Sequence, residues 1–386
     1  QGRRGVRHPD DELIEAARVM QFALTEDQIA VRDMARAFAA ERIAPFALKW
    51  DEDKTFPVDT MREAAALGIG GIYIRDDVGG SALTRFDAAL IFEALATGCP
   101  TVSAFISIHN MAAWMIDAYG SDAQRRQWLP KLCTMEKVAS YCLTEPGSGS
   151  DAAALATRAV RDGDHYVLNG QKQFISGAGR GDVYVTMVRT GGGGPGGVST
   201  LVIDGDTPGV SFGANERKMG WNAQPTRTVI FENARVPVAN RLGEENKGFV
   251  YLMQELAQER LLIAVYAAVA LERALGLTLE YVKERKAFGG TVWDFQNTKF
   301  KLADAKASAV AVRTLVDYYI GEHLRRRLSV QEAAIAKLFA TETLWKCVDD
   351  MVQLHGGYGY MLEYPIARIF TDYRVARVAG GASEVL

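Results

Sequence analysis

Cysteine is scarce in this chain: four in 386 residues, at Cys99, Cys133, Cys142 and Cys347, with no C-x-x-C pair. That spacing excludes a thiolate zinc site. A chain of this length also needs no disulfide framework, so a reducing compartment is expected. The five histidines are scattered and form no H-E-x-x-H, so no metal site is expected. Charge of one sign is lacking too: 44 basic against 47 acidic residues give a net charge of −3. That excludes a global basic surface for nucleic acid or anionic membrane. No uninterrupted apolar run is long enough to cross a bilayer, so no membrane insertion is expected. The longest, Leu261 to Leu271, contains Tyr266 and runs into Glu272 and Arg273. The basic start, Gln1 to Arg7, lacks a methionine and reads as a processed leader remnant or an artefact, without meaning for the fold.

What is present falls into three textures. From Asp10 to about Lys137 the apolar spacing is helical. Thr25-Glu-Asp-Gln28 reads as a helix N-cap ahead of Ile29, Val31, Met34 and Phe38, and Leu90–Ala96 and Ala112–Ala118 are further helical stretches. From Ala139 strands take over. Val160 to Leu168 is two strand-like runs around an Asp-Gly turn. Val183–Val188, Ser199–Ile203 and a short Thr228–Phe231 are β-rich. The glycine run Gly191–Gly197 lies between two strands with no helix start or G-K-[ST] after it, so it reads as a flexible hairpin tip rather than a phosphate loop. From Gly248 the pattern is helical again: Phe249–Arg285, Phe295 to about Glu322, Ser329–Leu354, and a shorter helix after Pro365. Long helices with short breaks imply a bundle. The expectation is α+β in three units: an N-terminal α-helical domain (1–138), a middle β-barrel or sandwich-like domain (139–246) and a C-terminal four-helix bundle (247–386). The absence of βαβ alternation argues against a Rossmann nucleotide site.

Five motifs stand in order. They are Tyr141-Cys-Leu-Thr-Glu-Pro-Gly-Ser-Gly-Ser-Asp151, Phe174-Ile-Ser176, Glu284-Arg-Lys-Ala-Phe-Gly289, Gln353-Leu-His-Gly-Gly-Tyr-Gly359 and Gly380-Gly-Ala-Ser-Glu384. Together they resemble the acyl-CoA dehydrogenase family over nearly the whole chain. Up to about Phe249 the chain is similar to isobutyryl-CoA dehydrogenases (Trp221-Asn-Ala-Gln-Pro-Thr-Arg227). From Leu252 it looks more like long-chain and isovaleryl members (Gln258-Glu-Arg-Leu-Leu262). The resemblance implies dehydrogenation of a short or branched acyl thioester, isobutyryl-CoA as first guess, and a further helix beyond Leu386.

That reaction needs a base for the α-proton and an acceptor for the β-hydride. No side chain accepts hydride, so a cofactor is required; the resemblance implies FAD. Thr144, Phe174 and Ser176 match positions lining the isoalloxazine ring, where a hydroxyl bonds a ring nitrogen and an aromatic covers a face. Tyr141, Leu143, Gly149 and Ser150 of the first motif, and Ala382 and Glu384 of the last, match other cofactor positions. Arg285 suits a pyrophosphate, and Gly356 and Gly357 let backbone amides approach it. Phe288, Gln296 and Gln353 match positions near adenine or ribose. In the family this half of the site comes from a neighbouring subunit, which implies a homo-oligomer, usually a tetramer.

The family places its base in one of two positions. One is Gly380 here, which has no carboxylate; the other is Glu259. Burial against Leu261–Val265 would raise its pKa and make it a better base. Its neighbour Glu255 is a like charge one turn away, mildly unfavourable on an isolated helix. The Gly380 backbone N–H is the implied donor to the thioester oxygen as enolate charge builds. Arg260 organises the site or serves as an ion-pair partner. Gly380 and Ala379 lack bulk and so make room for the acyl group, Gly381 matches a substrate-binding position, and Ser150 contacts pantetheine or caps toward Asp151. Electron-transferring flavoprotein is the implied acceptor. An acyl-CoA oxidase and a flavin-poor assembly scaffold are the competing readings. The compartment implied is the cytoplasm of a bacterium or the mitochondrial matrix of a eukaryote.

Overall fold

The computed structural model describes residues 24–386, and the basic start and the helical pattern from Asp10 lie outside them. The first described helix, α1 (Glu26–Phe38), opens on the expected capping box. Thr25 Oγ1 accepts from the Gln28 N–H, and the Gln28 side chain accepts from the Thr25 N–H. Two short helices follow, α2 (Ala47–Glu52) and α3 (Val58–Ala66), then the core helices α4 (Arg85–Gly98), α5 (Pro100–Tyr119) and α6 (Asp122–Cys133).

The middle of the chain is one mixed sheet. It comprises β1 (Ala139–Cys142), β2 (Arg158–Asp162), β3 (His165–Ser176), β4 (Val183–Arg189), β5 (Val198–Asp204), β6 (Val210–Phe212), β7 (Thr226–Pro237) and β8 (Arg241–Leu242). Its hydrogen-bonded path runs β6-β7-β3-β2-β4-β5-β8, and β1 lies parallel beside β4. The Asp-Gly hairpin is present: Asp162 faces His165 and Gly163 has φ of +62°. β4 is apolar without alternation because both its faces are covered. Val183, Val185 and Met187 pack on α5 and α6, while Tyr184 and Val188 pack among Tyr166, Leu168 and Phe231. One expectation is corrected here. The run at Thr228–Phe231 belongs to a twelve-residue strand, β7, whose polar second half lies along β3. The glycine run is the tip of the antiparallel β4–β5 hairpin, as read, and the Arg189 guanidinium donates to its Gly192 (2.5 Å) and Gly194 (3.0 Å) carbonyls.

The last third is helical. It holds α7 (Gly248–Glu284), a hairpin of β9 (Lys286–Ala287) and β10 (Gly290–Thr291), α8 (Gln296–Leu324), α9 (Val330–His355) and α10 (Pro365–Tyr373). α7 has 37 residues, so it is roughly 55 Å long. An 18-residue window of it is apolar enough, by length and composition alone, to cross a membrane. This differs from the reading of uninterrupted runs. Yet 61% of that window is buried within the protein. It forms one core with α4, α8 and α9 through Leu261, Val265, Leu271, Phe92, Val312 and Leu344.

Candidate functional site

The residues expected to act together fall into two groups at opposite ends of α7. The first group lies near its start. Leu252 on this helix packs into the same cluster as β1 and β4. Glu259, one turn before the buried Ala264–Val265 pair, is half-buried. Burial pushes its carboxyl above the usual range, and the adjacent Arg260 pulls it back. Tyr141 reaches the same region from β1. Its phenol is buried without a hydrogen-bond partner, and burial, then Glu259 and Glu255, hold its ionisation far up.

The last motif closes over this face. Arg260 Nε donates to the Gly380 carbonyl at 3.0 Å, so its observed contact is with the loop. On α9, Lys337 is wholly buried and its Nζ donates to the Gly381 carbonyl at 2.7 Å. Burial pulls that ammonium down to about 8. Ala379 donates to the Val375 carbonyl, while among the described residues the Gly380 N–H forms no hydrogen bond. Ser150 does not cap toward Asp151. Its Oγ accepts from the Ala382 N–H at 3.4 Å and so joins the first motif to the last, and the contact to Asp151 comes from Ser148 Oγ (2.6 Å). Glu384 lies exposed in the turn that follows Ala382.

The ring-lining candidates sit at the C-terminal end of the interior strand β3 and in the loop that follows β1. The Gln173 N–H donates to the Thr144 carbonyl at 2.7 Å, which sets Thr144 beside Phe174. Phe174 has φ of +59° and is 63% exposed, an unfavourable backbone and an unfavourable burial for a phenylalanine. Ser176 Oγ accepts from Gln224 Nε2 at 3.3 Å, and the Gln224 Oε1 is buried without a partner. Leu143 and its loop are fixed by Lys172, whose buried Nζ donates to the Leu143 carbonyl (3.1 Å) and to Glu145 (2.7 Å). Gly149 is open, with nothing where a side chain would stand.

The second group lies beyond the far end of α7. Arg285, Gln353, Gly356 and Gly357 line a groove of about 440 Å³. The Arg285 guanidinium stands 5.4 Å from the Tyr358 ring. A Cβ at Gly356 or Gly357 would meet nothing within 4 Å, so a ligand can approach both amides. Phe288, at the tip of the β9–β10 hairpin, is 98% exposed and meets Phe295 edge-on at 6.2 Å, and Gln296 begins α8 beside it. Arg285 lies 26 residues after Glu259, roughly 40 Å along the helix.

These features fit FAD. The open glycine pair with a guanidinium suits a pyrophosphate, and the exposed Phe174 beside an unpartnered amide oxygen suits a ring system carrying N–H groups. Among the described residues no cluster of His, Cys, Asp and Glu suited to a metal is present. Three residues escaped the sequence reading: Lys337, Lys172 and Arg85. Only Lys337, in Ala333-Ala-Ile-Ala-Lys337, follows an apolar run that hints at burial; Lys172 lies between two glutamines and Arg85 between Thr84 and Phe86-Asp87, so neither carried a signal.

Comparison with known proteins gives three family models in chain order. The acyl-CoA dehydrogenase N-terminal, middle and C-terminal domains match residues 25–136, 140–234 and 246–386. A mitochondrial isobutyryl-CoA dehydrogenase of Bos taurus is 47% identical over 100% of this chain and 93% of its own. The one of Dictyostelium discoideum is 49% identical over 94% and 88%. A crystal structure of an acyl-CoA dehydrogenase from Geobacillus kaustophilus superposes with a TM-score of 0.91 at 37% identity, covering 94% of this chain and 96% of that one.

Proposed function

Because this chain belongs to the acyl-CoA dehydrogenase family, we propose that it oxidises a short branched acyl-CoA, isobutyryl-CoA first, with Glu259 as the base. It is an FAD-dependent acyl-CoA dehydrogenase. The bound flavin supplies the hydride acceptor that no side chain offers. Thr144, Phe174, Ser176 and Gln224 would hold its ring system, with Tyr141, Leu143, Gly149, Ser150, Ala382 and Glu384 around them. Arg285, Phe288, Gln296, Gln353, Gly356 and Gly357 would hold its nucleotide end.

The observation that carries the assignment is the convergence of Glu259 with the Gly380–Gly381 loop, fastened by Arg260. A half-buried carboxylate with a raised pKa removes a weakly acidic α-proton better than a solvated one. The Gly380 N–H, which forms no other hydrogen bond, donates to the thioester oxygen as charge develops there. Ala379 and Gly380 carry little or no side chain where the acyl group would lie. Isobutyryl-CoA follows from the named relatives; the site itself marks no chain length.

The distance between the two groups supports a homo-oligomer, a tetramer in keeping with the family. Glu259 and Arg285 of one chain stand farther apart along α7 than one dinucleotide spans, so a second copy would complete each flavin site. Electron-transferring flavoprotein is the proposed acceptor. The compartment is the bacterial cytoplasm, or the mitochondrial matrix in a eukaryote. The test is anaerobic addition of isobutyryl-CoA to the yellow protein. Bleaching that reverses slowly in air supports the reading; no bleaching with any acyl-CoA overturns it, and fast reoxidation identifies an oxidase.

A further inference from the structure

We infer that the buried Arg85–Glu255 ion pair is a positioning device that sets the basicity of Glu259. The inference rests on the role proposed above for Glu259. Glu255 lies one helical turn before Glu259, so the two carboxylates share a face of α7. Glu255 is 4% exposed and meets Arg85 Nη2 at 3.5 Å. Arg85, the first residue of α4, is clamped by aromatics: its guanidinium lies 3.6 Å from the centre of the Tyr73 ring and 5.0 Å from that of Trp114. Arg85 Nη1 is buried and donates to nothing. Glu255 is therefore the one carboxylate paired with this guanidinium among the described residues.

Two like-charged carboxylates one turn apart are unfavourable unless something holds them there. Arg85 does so without a direct bond to Glu259. The other groups facing the pair add no cation. From α5 comes the Tyr119 phenol and from β1 the Tyr141 phenol, both held un-ionised by burial. From α8 comes His323, which burial pulls down to about 4 and keeps neutral. On α7 itself, Arg260 points to the Gly380 carbonyl. Burial and Arg260 act on Glu259 directly, and Arg85 reaches it through Glu255, whose ionisation Glu259 opposes. Burial, partly offset by Arg85, pushes Glu255 up to about 7, so its charge changes within the working range of pH.

Above the pH at which Glu255 ionises, Glu255→Gln removes a negative charge next to Glu259 and leaves Arg85 uncompensated. Both changes favour the Glu259 anion and weaken it as a base. The acid limb of kcat/KM for isobutyryl-CoA should move down by about one pH unit, and the plateau should fall several-fold. In the double variant Arg85→Met, Glu255→Gln both charges leave together, and the limb should return most of the way toward the parent. An infrared titration gives a second readout in well-folded protein. The protonated carboxyl band of Glu255, assigned by its loss in Glu255→Gln, should titrate at lower pH in Glu259→Gln than in the parent. An acid limb unmoved in Glu255→Gln overturns the inference. If Glu255→Gln does not fold, the band is assigned by its loss in the Arg85→Met, Glu255→Gln double variant instead, and its titration at the same pH with and without Glu259 overturns the inference. A parent protein inactive on every acyl-CoA overturns the functional reading instead.

Discussion

Replacing Glu259 by glutamine tests the chemistry most directly, because the change keeps the shape and removes the base. The side chain is half-buried on α7, and its pKa is raised by burial against the apolar face that follows. Loss of a positioned general base costs typically 10²–10⁴ in rate, about 3–5 kcal/mol of transition-state stabilisation. The Gly380 N–H, the Arg260–Gly380 tie and the flavin positions are untouched, so cofactor content and acyl-CoA binding should persist. Stability should move the other way. A carboxyl whose folded pKa is raised contributes stability that is fully present below its unfolded pKa and is lost as pH rises through the folded one. Above that window the parent carries the cost of a buried anion and the glutamine variant does not, so its Tm at pH 8 should equal or exceed the parent's. The assay is single-turnover bleaching at 450 nm under nitrogen, with loss of the α-proton followed by exchange in D2O. A variant that bleaches within tenfold of the parent and still exchanges the α-proton refutes the assignment of the base.

Three further outcomes are expected. If Arg285 pairs with the pyrophosphate as proposed, Arg285→Gln should lower FAD affinity about 10- to 100-fold, measured by dialysis and the ratio of absorbance at 450 and 280 nm, and unchanged retention contradicts it. Phe288→Ala deletes a ring that packs on little within its own chain, being 98% exposed; secondary structure should be unchanged while flavin retention and assembly weaken, read by gel filtration with light scattering. Asp372 accepts from the Trp221 N–H at 2.8 Å, and burial pushes its carboxyl up to about 7. Its stability contribution is present at low pH and lost as pH rises through about 7, so Asp372→Asn should flatten the fall in Tm between mildly acidic and mildly alkaline buffer.

Much of the fold was legible because local signals agreed with the global one. The capping box at Thr25, the Asp-Gly hairpin and the long helices after Gly248 all formed with bounds within a few residues of the reading. β7 was read short because Glu232, Asn233 and Arg235 interrupt its apolar pattern. In the sheet, Asn233 takes φ of +52° and a register shift absorbs the irregularity, so pairing with β3 continues past it. The cations of the site were illegible for a different reason. Lys337 touches Gly381 and Arg85 touches Glu255 across distances in sequence that no periodicity spans. Glu255 was flagged as an unfavourable neighbour of Glu259, and the sequence held no hint of the arginine that offsets it.

The same geometry links two facts that look independent in the sequence, a glutamate at 259 and a glycine at 380. Gly380 has φ of +64°, a conformation that side chains rarely adopt. A Cβ built there would stand 2.8 Å from Ile263 Cδ1 and 3.6 Å from Arg260 Cγ. Ile263 is one turn beyond Glu259 on the same helix, and Arg260 is its immediate neighbour, already tied to the Gly380 carbonyl. A side chain on the loop would therefore press on the turn of α7 that presents the base. With the proposed base on the helix, the loop carries no side chain at 380 and packs close to α7, and its N–H stays free of other hydrogen bonds. On the proposed assignment, a carboxylate added at 380 would strain the loop at that φ and push the end of the Ile263 side chain, one turn from Glu259.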